Sequence, residues 1–229
     1  MKKRLFLAIL AVALVLAGTT VAGASILYVN TFDGTTSSLY TLTTTGTATK
    51  VGDIQEDGTT NRQFTDIAYD QTTGTMYAIT TTTLYTLDLT PSGGIITATA
   101  VGSTGVTGLQ GLEVNSSGTI YADSFYSGFG SNQFGHLYTL NNTTGAATDI
   151  GGNGAAPGSP SNNNYGNYGD LAFVDSTLYG TLAEAKAAGV FWGTINISTG
   201  AATATSPTTA MSDNIDGLAY VDPTLYGIS

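Results

Sequence analysis

The stretch Leu137–Gly151 reads LYTLNNTTGAATDIG, and the chain uses nearly the same phrase in two other places. It occurs as LYTLTTTGTATKVG from Leu39 to Gly52 and, in a shorter form, as INISTGAATAT from Ile195. Each copy has a short apolar run, a polar turn that ends in glycine, and a second short run. β-Branched and aromatic runs punctuated in this way predict two short strands, here named C and D, joined by a tight turn.

A second phrase interleaves with the first and predicts two further strands, A and B, ahead of C and D. Its copies are FTDIAYDQTTGTMYAIT from Phe64, LQGLEVNSSGTIYADS from Leu109, YGDLAFVDSTLYGTL from Tyr168 and IDGLAYVDPTLYGIS from Ile215. Their aligned residues Asp66, Gly111, Asp170 and Gly217 lie 45, 59 and 47 residues apart. A period of about 40–50 residues that holds four short strands is typical of propeller blades. The glycines of the turns, Gly74, Gly118, Gly145 and Gly200, stand where a hairpin needs a positive φ.

Three copies of the A-B-C-D unit are complete, and the two ends are partial. The complete copies are Phe64–Gly102, Leu109–Gly151 and Tyr168–Pro207, whereas Ser25–Gly52 supplies B-C-D and Ile215–Ser229 supplies A-B. The ring therefore has four blades and a spare strand, with the C-terminal A strand closing the N-terminal blade as a strap, or five blades of which two are incomplete. A third alternative is that the chain is part of a longer propeller. We expect an all-β propeller of four-stranded antiparallel blades, four to five of them visible, with an incomplete or strap-closed ring.

This pattern resembles secreted bacterial β-propellers of the YVTN and WD-like superfamily. In particular, it is similar to Thr/Gly-rich propellers with the phrase LYxLxxxTGxAT that are exported with a C-terminal sorting tail. The resemblance covers nearly all of the chain after residue 24, and its motifs are those of blade construction, which serve propellers of many functions. The printed sequence departs from that pattern because it has no Pro-Glu-Pro motif followed by an apolar segment and basic residues.

The first 24 residues have the pattern of an export signal. Lys2, Lys3 and Arg4 precede the apolar run Leu5–Leu16, and Ala22-Gly23-Ala24 offers a small-x-small cleavage site. The run is shorter than the roughly 20 apolar residues that span a bilayer, so a retained anchor is the weaker alternative. We expect residues 1–24 to be a signal peptide and residues 25–229 to form the propeller domain. We expect this domain to be secreted or displayed at the cell surface by bacterial-type export, without insertion into the membrane after the signal is cleaved.

The net charge of the chain limits the classes of partner that it can bind. Cleavage after Ala24 changes the formal net charge from −10 to −13, because it takes away three of the six basic residues and none of the sixteen acidic ones. Affinity for nucleic acid depends on Lys and Arg that neutralise phosphates, so a nucleic-acid partner is excluded. The absence of cysteine excludes disulfides and lipid attachment through a thiol. The partners that remain are carbohydrate or protein at the cell surface.

Acidic residues at the start of the A strands are the candidate metal ligands. Asp66 and Asp170 share one aligned position, and Asp216 lies one residue earlier in its own copy. The innermost strands of a propeller line its axis, so these carboxylates could converge on Ca²⁺, which takes about six to eight oxygen ligands. Gly111 breaks the series, and Asp is also a common turn residue, so the alternative is that the chain has no cofactor.

Aromatic side chains give the candidate binding surface. Phe125, Tyr126, Phe129 and Phe134 cluster in the extended B-to-C segment DSFYSGFGSNQFGH, where they either form a ligand-binding surface or fold back over a blade edge. The tyrosines that recur in the B and C strands either stack on sugars or pack between blades, and repetition at equivalent positions favours packing. Trp192, in the C strand VFWGTI, is predicted to be a core residue.

The inventory for catalysis is small. His136 is the single histidine, no cysteine is present, and no G-x-S-x-G elbow marks a serine nucleophile. His136, with Asp123 or Glu113, is the weak candidate for a catalytic group. The sequence therefore favours an exported, non-catalytic propeller that binds a glycan, a polymer or a protein. The alternatives are a self-assembling structural envelope protein, whose unpaired blade edges would pair between molecules, and a lyase or hydrolase that acts over the axial channel.

Overall fold

The computed structural model describes the backbone of residues 12–16, 26–124, 136–151, 165–184, 190–204 and 217–228. Side chains are described for residues 27–124, 136–151, 169–181, 192–203 and 217–227. All regular structure in these ranges is β-strand. No helix with the length and apolarity needed to cross a bilayer occurs within them.

Blades 1 and 2 are each built from four antiparallel strands in sequence order. The strands of blade 1 are β1 Val12–Leu16, β2 Ile26–Phe32, β3 Ser37–Leu42 and β4 Ala48–Glu56, followed by the short β5 Thr60–Asn61. Those of blade 2 are β6 Asp66–Asp70, β7 Thr75–Ile79, β8 Thr83–Leu87 and β9 Ile95–Ser103. The outermost strands β4 and β9 pair in parallel, from Asp53↔Ile95 to Glu56↔Ala98, and this pairing joins the two blades into one sheet.

Blades 3 and 4 repeat the arrangement as separate four-stranded sheets. Blade 3 consists of β10 Leu109–Val114, β11 Ile120–Ser124, β12 Leu137–Leu140 and β13 Ala147–Asp149. Blade 4 consists of β14 Tyr165–Val174, β15 Thr177–Glu184, β16 Val190–Ile195 and β17 Ala202–Ala204. Blade 5 is a two-stranded sheet of β18 Gly217–Val221 and β19 Thr224–Ile228 in the described part of the chain. The predicted A-B-C-D unit is therefore confirmed.

The inner strands close a ring. Strand β6 contacts β10, β10 contacts β14, β14 contacts β18, and β1 contacts both β18 and β6. A closed cycle of innermost strands, each at the edge of its own antiparallel sheet, is the geometry of a propeller. The chain is thus an all-β propeller, of which the described residues form four four-stranded blades and one two-stranded sheet.

The closure differs from the strap, which was one of the alternatives that the sequence left open. The inner neighbour of β2 is β1, with Val12↔Asn30 to Leu16↔Ile26 in register, and not the C-terminal strand β18. Strand β1 lies within the apolar run predicted to belong to the signal peptide. A short run of apolar and β-branched residues also favours a strand, so this stretch has the composition of both a signal peptide and a strand. Cleavage of the signal remains a prediction.

Apolar side chains between consecutive blades form the core. Leu39, Ile54, Phe64, Ile67 and Ile96 pack between blades 1 and 2. Equivalent clusters fill the space between blades 2 and 3 and between blades 3 and 4, and a smaller cluster of Leu27, Val29 and Ala219 joins blade 5 to blade 1. Because one sheet cannot bury both its faces, each blade depends on the next for the apolar area that it removes from water.

The tyrosines at the B and C positions belong to this core where both neighbouring blades are complete. Tyr77, Tyr85 and Tyr121 are buried, and Tyr85 and Tyr121 make edge contacts with Phe64 and Phe173 at ring-centroid distances of 5.1 and 5.5 Å. Packing between blades is thus confirmed for these three tyrosines. Trp192 departs from the prediction, because it is 36% exposed and stacks on Tyr179 with the ring centroids 5.7 Å apart.

The two ends of the ring differ in their connections. We call the end that carries the A-to-B and C-to-D connections the turn face, and the end that carries the B-to-C and D-to-A connections the connection face. On the turn face the same turn chemistry recurs: the side-chain oxygen of an Asp or Asn accepts a hydrogen bond from the backbone N–H two residues later. The pairs are Asp70 with Thr72, Asp88 with Thr90, Asn115 with Ser117, Asn141 with Thr143 and Asn196 with Ser198, at 2.8–3.0 Å.

Glycine completes these turns at the predicted positions. Gly74, Gly118, Gly145 and Gly200 have φ values of 74°, 81°, 77° and 70°, which residues with a Cβ rarely adopt. On the connection face, blades 1 and 2 have short connections, such as residues 80–82. The segments 125–135, 152–164, 185–189 and 205–216, which lie outside the described residues, all join strand ends at the connection face of blades 3 to 5. After β2, the longest departures from the sequence repeat therefore connect strands at the connection face.

Candidate functional site at the propeller axis

Two aspartates from opposite sides of the ring meet at the axis. Asp66 is the first residue of β6 and Asp170 lies in β14, and their side chains are 0% and 1% exposed. The two carboxyl groups are within hydrogen-bonding reach of each other. Both residues were predicted from the sequence to lie at the axis as metal ligands, and the structure brings this pair together.

Each of these aspartates also binds the inner strand of the next blade. Asp66 accepts hydrogen bonds from the backbone N–H of Ile67 and, across to β10, from that of Leu112, both at 2.5 Å. Asp170 accepts one from the N–H of Leu171 at 2.7 Å and one from the N–H of Leu218 in β18. The carboxyl groups therefore hold neighbouring inner strands together, with blade 2 bound to blade 3 and blade 4 bound to blade 5.

Blade 3 has a different arrangement because Gly111 occupies the aligned position. A Cβ at Gly111 would stand 2.4 Å from the carbonyl oxygen of Gly169 and 2.7 Å from Oδ1 of Asp123. Asp123 comes from the adjacent strand β11, and its Oδ1 accepts a hydrogen bond from the N–H of Gly111 at 2.8 Å. A carboxyl group thus reaches the start of strand A from strand B, and the glycine makes room for it.

The surroundings of the axis favour the neutral forms of these acids. Burial raises the pKa of Asp170 to about 7, although its hydrogen bond to Asp66 opposes the rise. Burial, followed by the charge of Asp170, raises the pKa of Asp66 well above its usual range. Two adjacent carboxylates repel each other when both are ionised, so the pair favours retaining a proton to a higher pH than an exposed aspartate does.

Two further acids extend this group. Burial is the main cause that raises the pKa of Asp123 to about 8, with a smaller contribution from the charge of Asp170. The pKa of Glu113 is raised to about 8 by the same causes, although part of that residue is accessible to solvent. Together with Asp66 and Asp170 these acids form the axial acid group. The sequence had suggested Asp123 and Glu113 only as partners of His136.

Cations that would neutralise the axial acid group are engaged elsewhere in the described part of the chain. Lys50 forms an ion pair with Asp53, and Arg62 forms one with Glu56, each at 2.6 Å. These pairs lie on or beside the outer strand β4. The buried Oδ2 atom of Asp123 has no hydrogen-bond partner among the described groups. Protons are therefore the counter-charge that this arrangement favours.

The axial acid group is not a preformed metal site. Within the described residues, no three His, Cys, Asp or Glu side chains stand close enough together to hold one ion. Asp216, the third predicted ligand, lies outside the described residues. Carboxylates have the right chemistry for Ca²⁺, but that ion needs more converging oxygens than Asp66 and Asp170 supply. The calcium hypothesis stays a prediction.

His136 is directed to the outer part of blade 3. Its ring Nδ1 lies 2.9 Å from Oδ2 of Asp149 in the outermost strand β13, and its ring stacks on Tyr138 at 6.1 Å. The backbone N–H of His136 donates to Oγ of Ser124 at 3.0 Å, and the residue is 5% exposed. The acid that it meets is thus Asp149, which the sequence analysis did not name. Phe125, Tyr126, Phe129 and Phe134 lie outside the described residues, between Ser124 and His136.

Comparison with known proteins places few constraints on the chain. No family model matches it, and no curated protein matches it. Among solved structures, a calcium-binding protein, regucalcin, from Agrobacterium tumefaciens is similar with a TM-score of 0.48 and 14% identity. That match covers 92% of this chain and 66% of the other, so this chain spans slightly less than two thirds of its relative.

A second solved structure, the Dos1 propeller, is similar with a TM-score of 0.44 and 13% identity over 85% of this chain and 47% of the other. Neither match identifies a substrate, a ligand or a partner for this chain. At these identities and TM-scores, the assignment of the fold rests on the strand order and on the closed cycle of inner strands in the chain itself.

Proposed function

We propose that this chain is an exported, non-catalytic β-propeller module that binds carbohydrate at the cell surface through its connection face. The observation that carries the proposal is the difference between the two ends of the ring. The turn face repeats one turn chemistry five times, as rigid scaffolds do, whereas the described residues of the connection face show it at Asp33 with Thr35. The sequence segments that depart from the repeat, such as residues 125–135 and 152–164, join strands at the connection face, and binding residues commonly lie on the loops of a rigid scaffold.

Carbohydrate is favoured over other ligands by the chemistry of segment 125–135. It reads FYSGFGSNQFG, with four aromatic side chains, several hydroxyl and amide groups, and no charge. Aromatic rings stack on the apolar faces of sugars, and hydroxyl and amide groups donate to and accept from sugar hydroxyls. The strand ends that flank this segment, Ser124 and His136, are fixed to each other by two hydrogen bonds.

A non-catalytic role is favoured by the positions of the titratable groups. Asp66 and Asp170 are almost fully buried and are committed to backbone N–H groups of adjacent blades. His136 is committed to Asp149. Groups that hold the scaffold together in this way are poorly placed to exchange protons with a substrate, which requires contact with the reacting atoms.

The binding experiment compares two sets of substitutions on opposite ends of the ring. Alanine at Phe125, Tyr126, Phe129 and Phe134 should weaken retention on insoluble cell-wall polysaccharide by at least about tenfold, because stacking is lost. The control set, Ser117→Ala, Thr143→Ala and Ser198→Ala, changes exposed residues of the turn face. Equal retention of both sets would contradict the proposal, and retention on surface protein but not on polysaccharide would transfer it to a protein ligand.

Export is tested separately by the N-terminus of the protein. We expect the protein recovered outside the cytoplasm to begin at Ser25, as determined by N-terminal sequencing. That cleavage also removes β1, so the exported chain would keep β2, β3 and β4 of blade 1. Recovery of the chain only in the cell, with Met1 or Lys2 at its N-terminus, would contradict export through a cleaved signal.

Calcium binding is a second candidate function, which the unpartnered Oδ2 of Asp123 favours. A third oxygen donor close to Asp66 and Asp170 would be required. The melting temperature of the chain, measured at pH 8 with calcium and with a chelator, distinguishes the two states of the axis. A higher melting temperature with calcium, absent in an Asp66→Asn variant, would support a site; identical temperatures would exclude calcium from the axial acid group.

A further inference from the structure

The asparagines of the turn face all begin an Asn-x-Ser/Thr sequence, in which x is not proline. They are Asn115 in the A-to-B turn of blade 3, the adjacent Asn141 and Asn142 in the C-to-D turn of the same blade, and Asn196 in the C-to-D turn of blade 4. The run Asn162–Asn164 and the other asparagines of the chain begin none. This sequence is the acceptor for N-linked glycans in exported proteins. Every such acceptor in the printed sequence therefore lies at one end of the ring.

The carboxamide nitrogens of these four asparagines are available for a reaction. The four residues are exposed or partly exposed, and within the described residues no hydrogen bond engages the Nδ2 atom of any of them. Asn30 and Asn61, the two other asparagines whose side chains are described, both use that atom. It donates to the carbonyl oxygen of Phe64 and to Oγ1 of Thr36, at 3.0 and 3.1 Å. The asparagines that begin an acceptor sequence are thus the ones with a free amide nitrogen in the part of the chain that the structure describes.

The turns themselves do not require asparagine. The C-to-D turn of blade 2 begins with Asp88, whose Oδ1 accepts from the backbone N–H of Thr90 at 2.9 Å, and Oδ1 of Asn196 accepts from the N–H two residues later at the same distance. The hydroxyl of Thr90 also donates to Asp88, as that of Ser117 does to Asn115. Aspartate and asparagine both supply the oxygen that such a turn needs. Since the turn uses Oδ1, a glycan on Nδ2 would leave its hydrogen bonds in place.

We propose that the exported chain is N-glycosylated on its turn face, at Asn115, at Asn196 and at one of the adjacent pair Asn141 and Asn142. In this reaction Nδ2 forms a bond to the anomeric carbon of an oligosaccharide carried on a polyprenyl diphosphate. The bond from that carbon to the diphosphate oxygen breaks, the polyprenyl diphosphate leaves with the electron pair, and a base of the transferase takes the proton of Nδ2. The proposal rests on export, which is part of the proposed function, and not on carbohydrate binding.

Glycans at these positions would complement the surface of the chain. Charged residues are only 10% of the sequence, so hydration of the turn face depends on its hydroxyl and amide groups. Glycans are bulky and solubilising, and they would add many hydroxyl groups to that end of the ring. They would also keep other macromolecules from the turn face. The connection face carries no acceptor sequence and stays free for a ligand.

The experiment measures the intact mass of the protein recovered from outside the cells that produce it, and sequences its glycopeptides. We expect a mass above that of residues 25–229 by one glycan for each of the three sites. Asn196→Asp keeps the acceptor oxygen of its turn and should lose one glycan. The matched variant Asp88→Asn completes an acceptor sequence with Thr90 in the equivalent turn of blade 2 and should gain one.

Two further variants assign the adjacent pair. Thr143→Ala removes the acceptor sequence of Asn141, and Thr144→Ala removes that of Asn142, so the variant that loses a glycan identifies the modified residue. Ser117→Ala and Ser198→Ala, which belong to the control set of the binding experiment, should lose glycans and keep their retention on polysaccharide. The two proposals can therefore fail independently.

An unmodified mass in a protein that begins at Ser25 would overturn glycosylation and leave export standing. Recovery of the chain only in the cell, with Met1 or Lys2 at its N-terminus, would overturn both. Added mass that Asn196→Asp leaves unchanged and that glycopeptide sequencing places on serine or threonine would also overturn the proposal, because the glycans would then be attached to hydroxyl groups.

Discussion

The hairpins Leu171–Gly180 and Leu218–Gly227 share eight of ten residues, yet one lies in a four-stranded sheet and the other in a sheet of which two strands are described. Local sequence accounts for what they have in common, which is the strand pair, the register and the turn. The neighbouring strands account for the difference, because a side chain is removed from water only when a neighbour covers it. In a repeat protein, the same residue can therefore contribute different amounts to stability in different copies.

The residue that precedes each hairpin gives the largest contrast. The first hairpin follows Asp170, whose pKa is raised to about 7 by burial, whereas the second follows Gly217. The pKa values of Asp66, Glu113 and Asp123 are also raised. The folded state thus holds protons that the unfolded state releases above about pH 4. The contribution of these four acids to the free energy of unfolding should be largest at or below about pH 4, and it should fall, by up to several kcal/mol, as pH rises to about 8.

Urea unfolding at a series of pH values measures this trend. In Asp170→Asn the slope between about pH 6 and 8 should be shallower, because one titrating group has been removed from the axis. Stability that rises with pH in this window would mean that the axial acids are ionised and compensated in the folded state. That outcome would mean that the buried acid that precedes the first hairpin does not make its stability depend on pH in the way proposed here.

The next largest effect is expected from truncating the equivalent leucines. Leu178→Ala should lower the free energy of unfolding by about 2–5 kcal/mol, since it leaves a cavity in the core between blades. Leu225→Ala should cost about 1–2 kcal/mol, because that side chain is only partly buried. Both variants are compared by urea unfolding at a concentration where the chain is monomeric. Equal losses would show that β19 is as well covered in solution as β15.

A smaller effect is expected from the carboxyl group that joins the hairpins. Asp170→Ala leaves the N–H groups of Leu171 and Leu218 without their acceptor and should cost about 1–3 kcal/mol, since the variant also removes a buried acid that was itself costly to desolvate. Asp170→Asn keeps an acceptor and should cost less. Hydrogen exchange at the amide of Leu218 should accelerate in Asp170→Ala, and unchanged exchange there would argue against the bond between blades.

The smallest effect is expected at the first residue of each B strand. Thr177 and Thr224 are both exposed, and alanine at either position should change the free energy of unfolding by no more than about 0.5 kcal/mol. The two variants should also agree with each other. A clear difference between them would show that the hairpins differ in more than the cover of their outer edges.

The repeat itself could be predicted from the sequence because strands, turns and glycines are local features. The order A-B-C-D, the positive φ at Gly74 and its equivalents, and the burial of Tyr77 and Tyr121 all follow from patterns within one copy. The position of Asp66 and Asp170 at the axis also follows, since the innermost strand of a blade must line it. The sequence predicts that these two residues share one position at the axis, but it does not predict the contact between their carboxyl groups.

What could not be predicted depends on contacts between copies. The parallel pairing of β4 with β9, the use of Val12–Leu16 as an inner strand, and the exposure of Trp192 are decided by which elements lie side by side. Asp123 was overlooked at the axis because it lies on strand B, although Asn30 and Thr181 at the equivalent position are also polar. An alignment of the B strands by their tyrosines would have found it. His136 meets Asp149 through a strand pair that its own neighbourhood in the sequence does not reveal.

The hydrogen bonds of Asp66 to Leu112 and of Asp170 to Leu218 both connect an inner strand to the inner strand of the next blade along the chain. The donor in the next blade is a backbone N–H, which every residue except proline provides. A duplicated blade would therefore bring the aspartate that binds the next blade, and it would need only a backbone N–H from its new neighbour. When a blade is added by gene duplication, the new copy would therefore have to pack against its neighbours, but it would not have to evolve a new hydrogen bond between blades.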